Sequence, residues 1–198
     1  MDIGILLIKA LECAPEIQSR WLIRECLMGD QWRSNDREGF LDYHIREATS
    51  DDAQGISSVI LATLRVTNAA DYDAETLGRV AMSFTPAAVA QLLERRIMFV
   101  AVSDGIVATA SLESDVLRSV FVNPANQRSG IGEQLVHRVE CEALKRGFAL
   151  LKVPSSVTAQ GFYAKLGYRK VREVLHGLER TVVMEKSLAD RARQPLSE

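Results

Sequence analysis

Val120-Phe121-Val122-Asn123-Pro124-Ala125-Asn126-Gln127-Arg128-Ser129-Gly130-Ile131-Gly132 is the stretch whose reading decides the fold. The apolar residues from Val116 to Val122 read as a strand that stops at Asn123-Pro124, a pair suited to a turn. Beyond the glycines, Ile131, Leu135, Val139 and Ala143 recur at helical spacing. A helix from about Gly130 to Arg146 is predicted, with Gly147 placed to end it. The first amides of such a helix have no partner within it and sit at the positive end of its dipole. Glycine lets the backbone turn at positive φ and come close to a ligand. Together these features make an anion site suited to a phosphate or diphosphate.

Three specific readings compete for the loop. A Walker loop needs Lys-Ser/Thr after its last glycine, and Gly132 is followed by Glu133-Gln134. A dinucleotide-binding GxGxxG needs a third glycine where Leu135 stands, and it belongs to the first βα unit of a parallel sheet. Both are excluded. A plain helix start with no ligand stays open on the glycines alone.

The rest of the chain supplies a frame for this unit. Tyr43 to Glu47 alternates like a strand, and Thr49 and Ser50 cap a helix running to about Val66. Thr85-Pro86 starts a second helix. Ile97–Val102 and Ile106–Leu112 flank Ser103-Asp104-Gly105 as a hairpin. After the long helix come a strand over 148–153, a short helix over 158–166, and strands over 168–174 and 181–186. The order β-α-α-β-β-β-α-β-α-β-β predicts an α/β (α+β) domain with a mixed, mostly antiparallel sheet. It covers residues 43–188. Residues 1–42 form a separate extension with two short apolar segments and a polar linker, and 189–198 a polar tail.

A second block, Ser156-Val157-Thr158-Ala159-Gln160-Gly161-Phe162-Tyr163-Ala164-Lys165-Leu166-Gly167-Tyr168, completes a resemblance. Gln127-x-x-Gly130-x-Gly132 resembles the Q/R-x-x-G-x-G/A loop of the GNAT acetyltransferase superfamily. The second block is similar to that family's N-x-x-A-x-x-F-Y-x-x-x-G-F/Y segment, with Ser156 in place of the asparagine. The resemblance runs roughly from Tyr43 to Leu188. It implies the fold of acyl-CoA N-acyltransferases and acetyl-CoA as co-substrate, with no metal. It further implies that the amides of Gln127, Arg128, Ser129, Gly130, Ile131 and Gly132 bind the diphosphate. Backbone groups of Phe121 and Val122 would pair with the pantetheine arm, and Ser156, Phe162 and Lys165 would lie beside the coenzyme. Lys165, Arg169 and Arg128 are candidates for its phosphates, or simply solvated charges.

Acyl transfer to an amine expels a thiolate, and a phenol near the sulfur can protonate it. The resemblance gives that role to Tyr163; packing of its ring against the sheet is the competing use. For the base, Glu113 is the first candidate and Asp115 the second, both at a hairpin tip where solvated carboxylates are common. His176 is a third, and His137 reads as helix surface. Cys141 lies mid-helix and reads as a small buried hydrophobe, which favours direct attack in a ternary complex over an acyl-enzyme.

The acceptor is a primary amine of unassigned identity, small molecule or protein. Its cleft would be shaped by Thr63 to Phe84 and Val174 to Thr181. The acids and tyrosine of Asp71-Tyr72-Asp73-Ala74-Glu75 could draw a cationic amine or be a plain acidic loop. A catalytically silent acyl-CoA-binding module is the alternative function. A net charge of −2 offers no broad basic face for nucleic acid or anionic membrane, which ranks a tRNA-directed transferase low. Three scattered cysteines without a CxxC pair argue against a disulfide framework or zinc site and fit a cytoplasmic location. Ile3 to Ile8 is too short and too soon interrupted to span a bilayer. The 1–42 extension could serve as an arm in a homodimer.

Overall fold

The computed structural model of the chain describes residues 32–33, 42–67, 74–176 and 179–188; of residues 32, 33, 74, 176 and 179 only the backbone is described. In chain order the elements are β1 (Trp32–Arg33), β2 (His44–Glu47), α1 (Ala53–Val66), α2 (Ala74–Met82), α3 (Pro86–Leu93), β3 (Ile97–Val102), β4 (Ile106–Glu113), β5 (Val116–Val122), α4 (Ile131–Lys145), β6 (Leu150–Ser155), α5 (Gln160–Lys165), β7 (Arg169–His176) and β8 (Glu179–Ser187). The predicted order of elements is present. Two elements were not foreseen. Residues 32–33 lie in a stretch read as linker, yet their backbone pairs with His44 and Ile45 of β2. Helix α2 lies between the two helices read from the sequence, in a stretch to which no element was assigned although Leu77, Val80 and Ala81 stand at helical spacing. The apolar segments and linker of the 1–42 extension, the acids Asp71 and Asp73, and the 189–198 tail lie outside the described residues apart from 32, 33 and 42.

Local chemistry explains the helix starts. Thr85 Oγ1 accepts from Ala88 N at 3.3 Å, with Pro86 at the first helical position where a missing N–H costs nothing. Ahead of α1, Thr49 N donates to Asp52 Oδ2 at 2.8 Å. The same carboxylate takes a fork from Arg46, Nη1 to Oδ2 at 2.6 Å and Nη2 to Oδ1 at 2.8 Å, tying β2 to the turn before α1. Those donors, Arg46 foremost, hold the Asp52 carboxyl at about 2, below its ordinary 3.8. A lowered carboxylate contributes stability that is whole above the unfolded value and fades as pH falls through the folded one. Asp52→Asn should therefore lower the urea midpoint near neutral pH, and its deficit against wild type should vanish between about pH 4 and pH 2. A deficit that stays constant through that window would deny the ion pair its role.

The sheet runs β1-β2-β3-β4-β5-β6-β8-β7 and is antiparallel except where β5 meets β6. Alternation assigns each strand's side chains to two faces. On one, Phe99, Ala101, Ala108, Ala110, Leu112 and Leu117 pack beneath Ile131, Leu135, Val136 and Val139 of α4. On the other, Met98 and Val100 pack beneath Ile56, Ile60 and Leu64 of α1 and Val89 and Leu92 of α3. Each fully buried Leu, Ile or Val here contributes on the order of 1.5–3 kcal/mol. The layers on both faces fix where α1, α4 and the end of β5 meet.

Two irregularities open the sheet at that meeting point. Ala108 pairs with Val122 and Thr109 with Phe121, but Ser111 pairs with Arg118, so β5 carries one extra residue. Ser119 in this bulge has φ 52. A bulge of this kind bends its strand and strengthens the twist. On its other edge β5 pairs with β6 only at Val116↔Lys152, with Lys152 N bonded to Asp115 O at 2.9 Å. Beyond that point the two strands separate, leaving a wedge between them that ends at Val122.

Candidate functional site

The loop after β5 is built as a row of open donors. Asn123 Oδ1 accepts from Ala125 N at 3.1 Å, and Ser129 Oγ donates to Asn126 O at 2.6 Å, which fixes the turn. Arg128 (φ 64) and Gly130 (φ 84) both take the left-handed region. Gly130 is the N-cap of α4 and carries no side chain to satisfy the amides that follow. The first amide to bond within the helix is that of Gln134, onto Gly130 O at 3.1 Å. The amides ahead of it are left for a ligand at the positive end of the dipole. Ile131 is fully buried and nails this first turn to the core. Gln127 points the other way: its Nε2 donates to Thr67 Oγ1 at 2.9 Å and to Val122 O at 3.2 Å, lashing the loop to the end of α1.

The second motif folds against the first. A Cβ built on Gly132 would stand 3.3 Å from Val122 Cγ2 and 3.5 Å from Phe162 Cζ, so this glycine lets β5, α4 and α5 close up. Phe162 packs edge-on against Tyr163 at 5.1 Å between centroids, and Tyr163 edge-on against Tyr168 at 5.7 Å. Tyr163 is 6% exposed, and burial pushes its phenol well above the ordinary 10.0. Ser156 Oγ accepts from Ala159 N at 3.3 Å, capping the turn into α5. Lys165 and Arg169 border a groove of about 560 Å³ whose other wall includes Glu133 and His137 of α4. The loop, Phe162, Tyr163, Ser156 and Lys165 thus occupy neighbouring elements on the α4 side.

The wedge between β5 and β6 supplies backbone groups. Asn123 N bonds Val107 O at 2.8 Å, so in this register the groups of Asn123 and Phe121 face β4. Those of Val122 face the wedge. Its carbonyl already accepts from Thr63 Oγ1 at 3.0 Å and from Gln127 Nε2, which leaves its amide. Phe121, expected to share backbone bonds with a ligand, has its backbone groups turned to β4, and its ring lies 5.7 Å from that of Phe84 on the α1 side.

Glu113 lies on that α1 side in an unforeseen setting. Its Oε2 stands 3.2 Å from Arg96 Nη2 and 2.5 Å from Arg118 Nε. Arg96 Nη1 also donates to Ser119 Oγ at 3.4 Å, at the bulge. Both contacts fall on the same carboxylate oxygen, so Glu113 bridges the two guanidiniums. Asp115 is likewise engaged, by Lys152 Nζ at 2.7 Å, and the donors lower its carboxyl. The backbone of His176 closes β7, and its side chain lies outside those described. Cys141 is 5% exposed, with its sulfur 3.3 Å from Nδ1 of His137 one turn earlier, a neighbour the helical spacing would have revealed. Arg96 and Arg118 went unread because nothing in the sequence marks a bulge or a cross-strand pair, and the bonds of Thr63 and Thr67 because they reach from α1 to the end of β5 and its loop some sixty residues on. Among the described residues no group of three or more His, Cys, Asp or Glu could hold a metal ion, and no helix is long and apolar enough to cross a membrane.

This architecture has relatives. A solved GCN5-related N-acetyltransferase from Rhodopseudomonas palustris is 26% identical at a TM-score of 0.67, covering 80% of this chain and 99% of that one. PaiA N-acetyltransferase from Thermoplasma acidophilum, solved in complex with coenzyme A, is 17% identical at a TM-score of 0.64, over 73% and 98%. A putative acetyltransferase (yncA) from Salmonella typhimurium, solved with acetyl-CoA, is 23% identical at 0.53, over 74% and 94%. No curated protein matches the chain. The family model of the acetyltransferase (GNAT) domain matches residues 68–187, and with the glycine loop, the wedge and the Phe-Tyr helix in place the chain belongs to the GNAT acetyltransferases.

Proposed function

We propose that the chain is an N-acetyltransferase that carries the acetyl group of acetyl-CoA directly onto a primary amine within a ternary complex. The observation that carries this reading is the set of open amides at the start of α4, set beside the wedge between β5 and β6. A diphosphate on those amides sends the pantetheine arm along the wedge, where it meets the Val122 amide as an added strand would. Lys165, Arg169 and Arg128 lend charge to the coenzyme's phosphates, and Phe162 covers the arm near Gly132. Solved relatives hold coenzyme A or acetyl-CoA, which supports the choice of co-substrate.

The neutral amine attacks the thioester carbonyl, and the negative charge forms on oxygen. By the alternation that turns Val122 toward the wedge, Val120 is the next residue to do so, and its amide meets that oxygen. The carbon–sulfur bond breaks, Tyr163 gives its proton to the departing thiolate, and the phenol is restored with a proton from the former amine by way of water. Its burial keeps the phenol protonated until then. Glu113 serves to hold Arg96 and Arg118 rather than to take the proton. The buried sulfur of Cys141 supports direct transfer over an acyl-enzyme.

Thiol release from acetyl-CoA, followed against a panel of amines, tests the reading. Amine-dependent release is expected; tight acetyl-CoA binding without release on any amine would leave a silent binding module instead.

A further inference from the structure

The geometry points to an acceptor that bears a carboxylate beside its amine, gripped by the guanidinium of Arg118. This rests on the acetyltransferase reading for the amine, while the grip itself rests on the bulge in β5. Leu117, Val120 and Val122 belong to the α4 side of the sheet, and Phe121 to the α1 side. The extra residue between Leu117 and Val120 therefore turns both Arg118 and Ser119 to the α1 side, the face opposite the coenzyme loop.

There a relay of contacts holds Arg118 in place. Ser119 Oγ meets Arg96 Nη1, Arg96 Nη2 meets Glu113 Oε2, and Glu113 Oε2 meets Arg118 Nε. The Arg96 side chain is 13% exposed and that of Arg118 39%. Only Nε of Arg118 lies against Glu113, buried and in close contact without the alignment of a hydrogen bond, while the side chain as a whole stays 39% exposed. One carboxylate against two guanidiniums leaves a positive charge over. A guanidinium held at its Nε and still partly exposed fits a planar carboxylate, which it binds through two parallel hydrogen bonds. Arg118 stands two residues before Val120, across the bulge at Ser119, so the carboxylate is held by the same strand whose Val120 amide meets the reacting carbonyl. Amino acids and compounds like them meet that description. Plain polyamines do not.

The test uses the full chain loaded with coenzyme A. Binding of the common amino acids and of their carboxamides is measured by calorimetry or ligand-observed NMR, for wild type, Arg118→Met and Arg118→Lys. At least one amino acid should bind wild type about tenfold or more tightly than its carboxamide, an advantage lost in Arg118→Met and partly kept in Arg118→Lys. Coenzyme A affinity, measured on the same samples, should not change, which shows the variants are folded. If no amino acid outbinds its carboxamide, or if Arg118→Met keeps the preference, the inference is overturned. Carboxylate binding that depends on Arg118 without turnover of any amine would sustain this site and sink the acetyltransferase reading instead.

Discussion

Replacing Gly130 with glutamate is expected to weaken acetyl-CoA binding by at least about 100-fold, a loss of about 2.7 kcal/mol, in a protein that still folds. Two effects add. The position has φ 84, where an L side chain costs roughly 1–2 kcal/mol. The larger effect is electrostatic: a carboxylate at the N-cap of α4 sits where the diphosphate must sit, and it can itself accept from the amides the coenzyme needs. Folding should survive, because a Cβ at Gly130 meets nothing within 4 Å and an acid at a helix start is favourable in its own right. Gly130→Ala separates the two effects. It carries the backbone strain without the charge, so its affinity should fall by far less. Equal losses in the two variants would place the whole effect in strain.

Tyr163→Phe should lower kcat by about 100-fold or more while leaving the KM for acetyl-CoA nearly unchanged. The ring keeps its edge contacts with Phe162 and Tyr168, so only the hydroxyl is lost. The direction of its shift adds a pH condition. Burial raises the phenol above 10.0, and a general acid works only while protonated, so any alkaline limb due to Tyr163 lies above the ordinary tyrosine range. Steady-state kinetics from neutral pH to about pH 10 should therefore show no loss of rate due to Tyr163. Should Tyr163→Phe stay within twofold of wild type, the tyrosine is a packing residue and the proton comes from elsewhere.

What the sequence discloses, it discloses through local chemistry. Gly130 and Gly147 were read as opening and ending the long helix, and each has positive φ, a property that one residue and its neighbours decide. Thr85-Pro86 behaves as a cap for the same reason. The long helix after β5 was legible because its apolar face has a strict period. Non-local facts were hidden. The bulge at Ser119 arises from register against β4, and no single residue type announces it. Arg96 precedes β3, Glu113 ends β4 and Arg118 lies within β5, so their cluster exists only once the sheet is assembled. Glu113 was singled out as a carboxylate near the right strand, whereas its setting between two guanidiniums is a matter of pairing. Helix α2 is only nine residues long, and its period rests on Leu77, Val80 and Ala81 alone. Phe121 shows the limit most simply: a strand residue beside the loop faces either side, and a single inserted residue decides which.

The central claim is that the amides opening α4 grip the diphosphate of the coenzyme. Titrating an isotopically labelled protein with coenzyme A, and separately with pantetheine, which lacks the diphosphate, probes those amides one by one. The amide signals of Gly130, Ile131, Gly132 and Glu133 should move strongly with coenzyme A and hardly at all with pantetheine. Coenzyme A that binds while those four signals stay where they were would contradict the account.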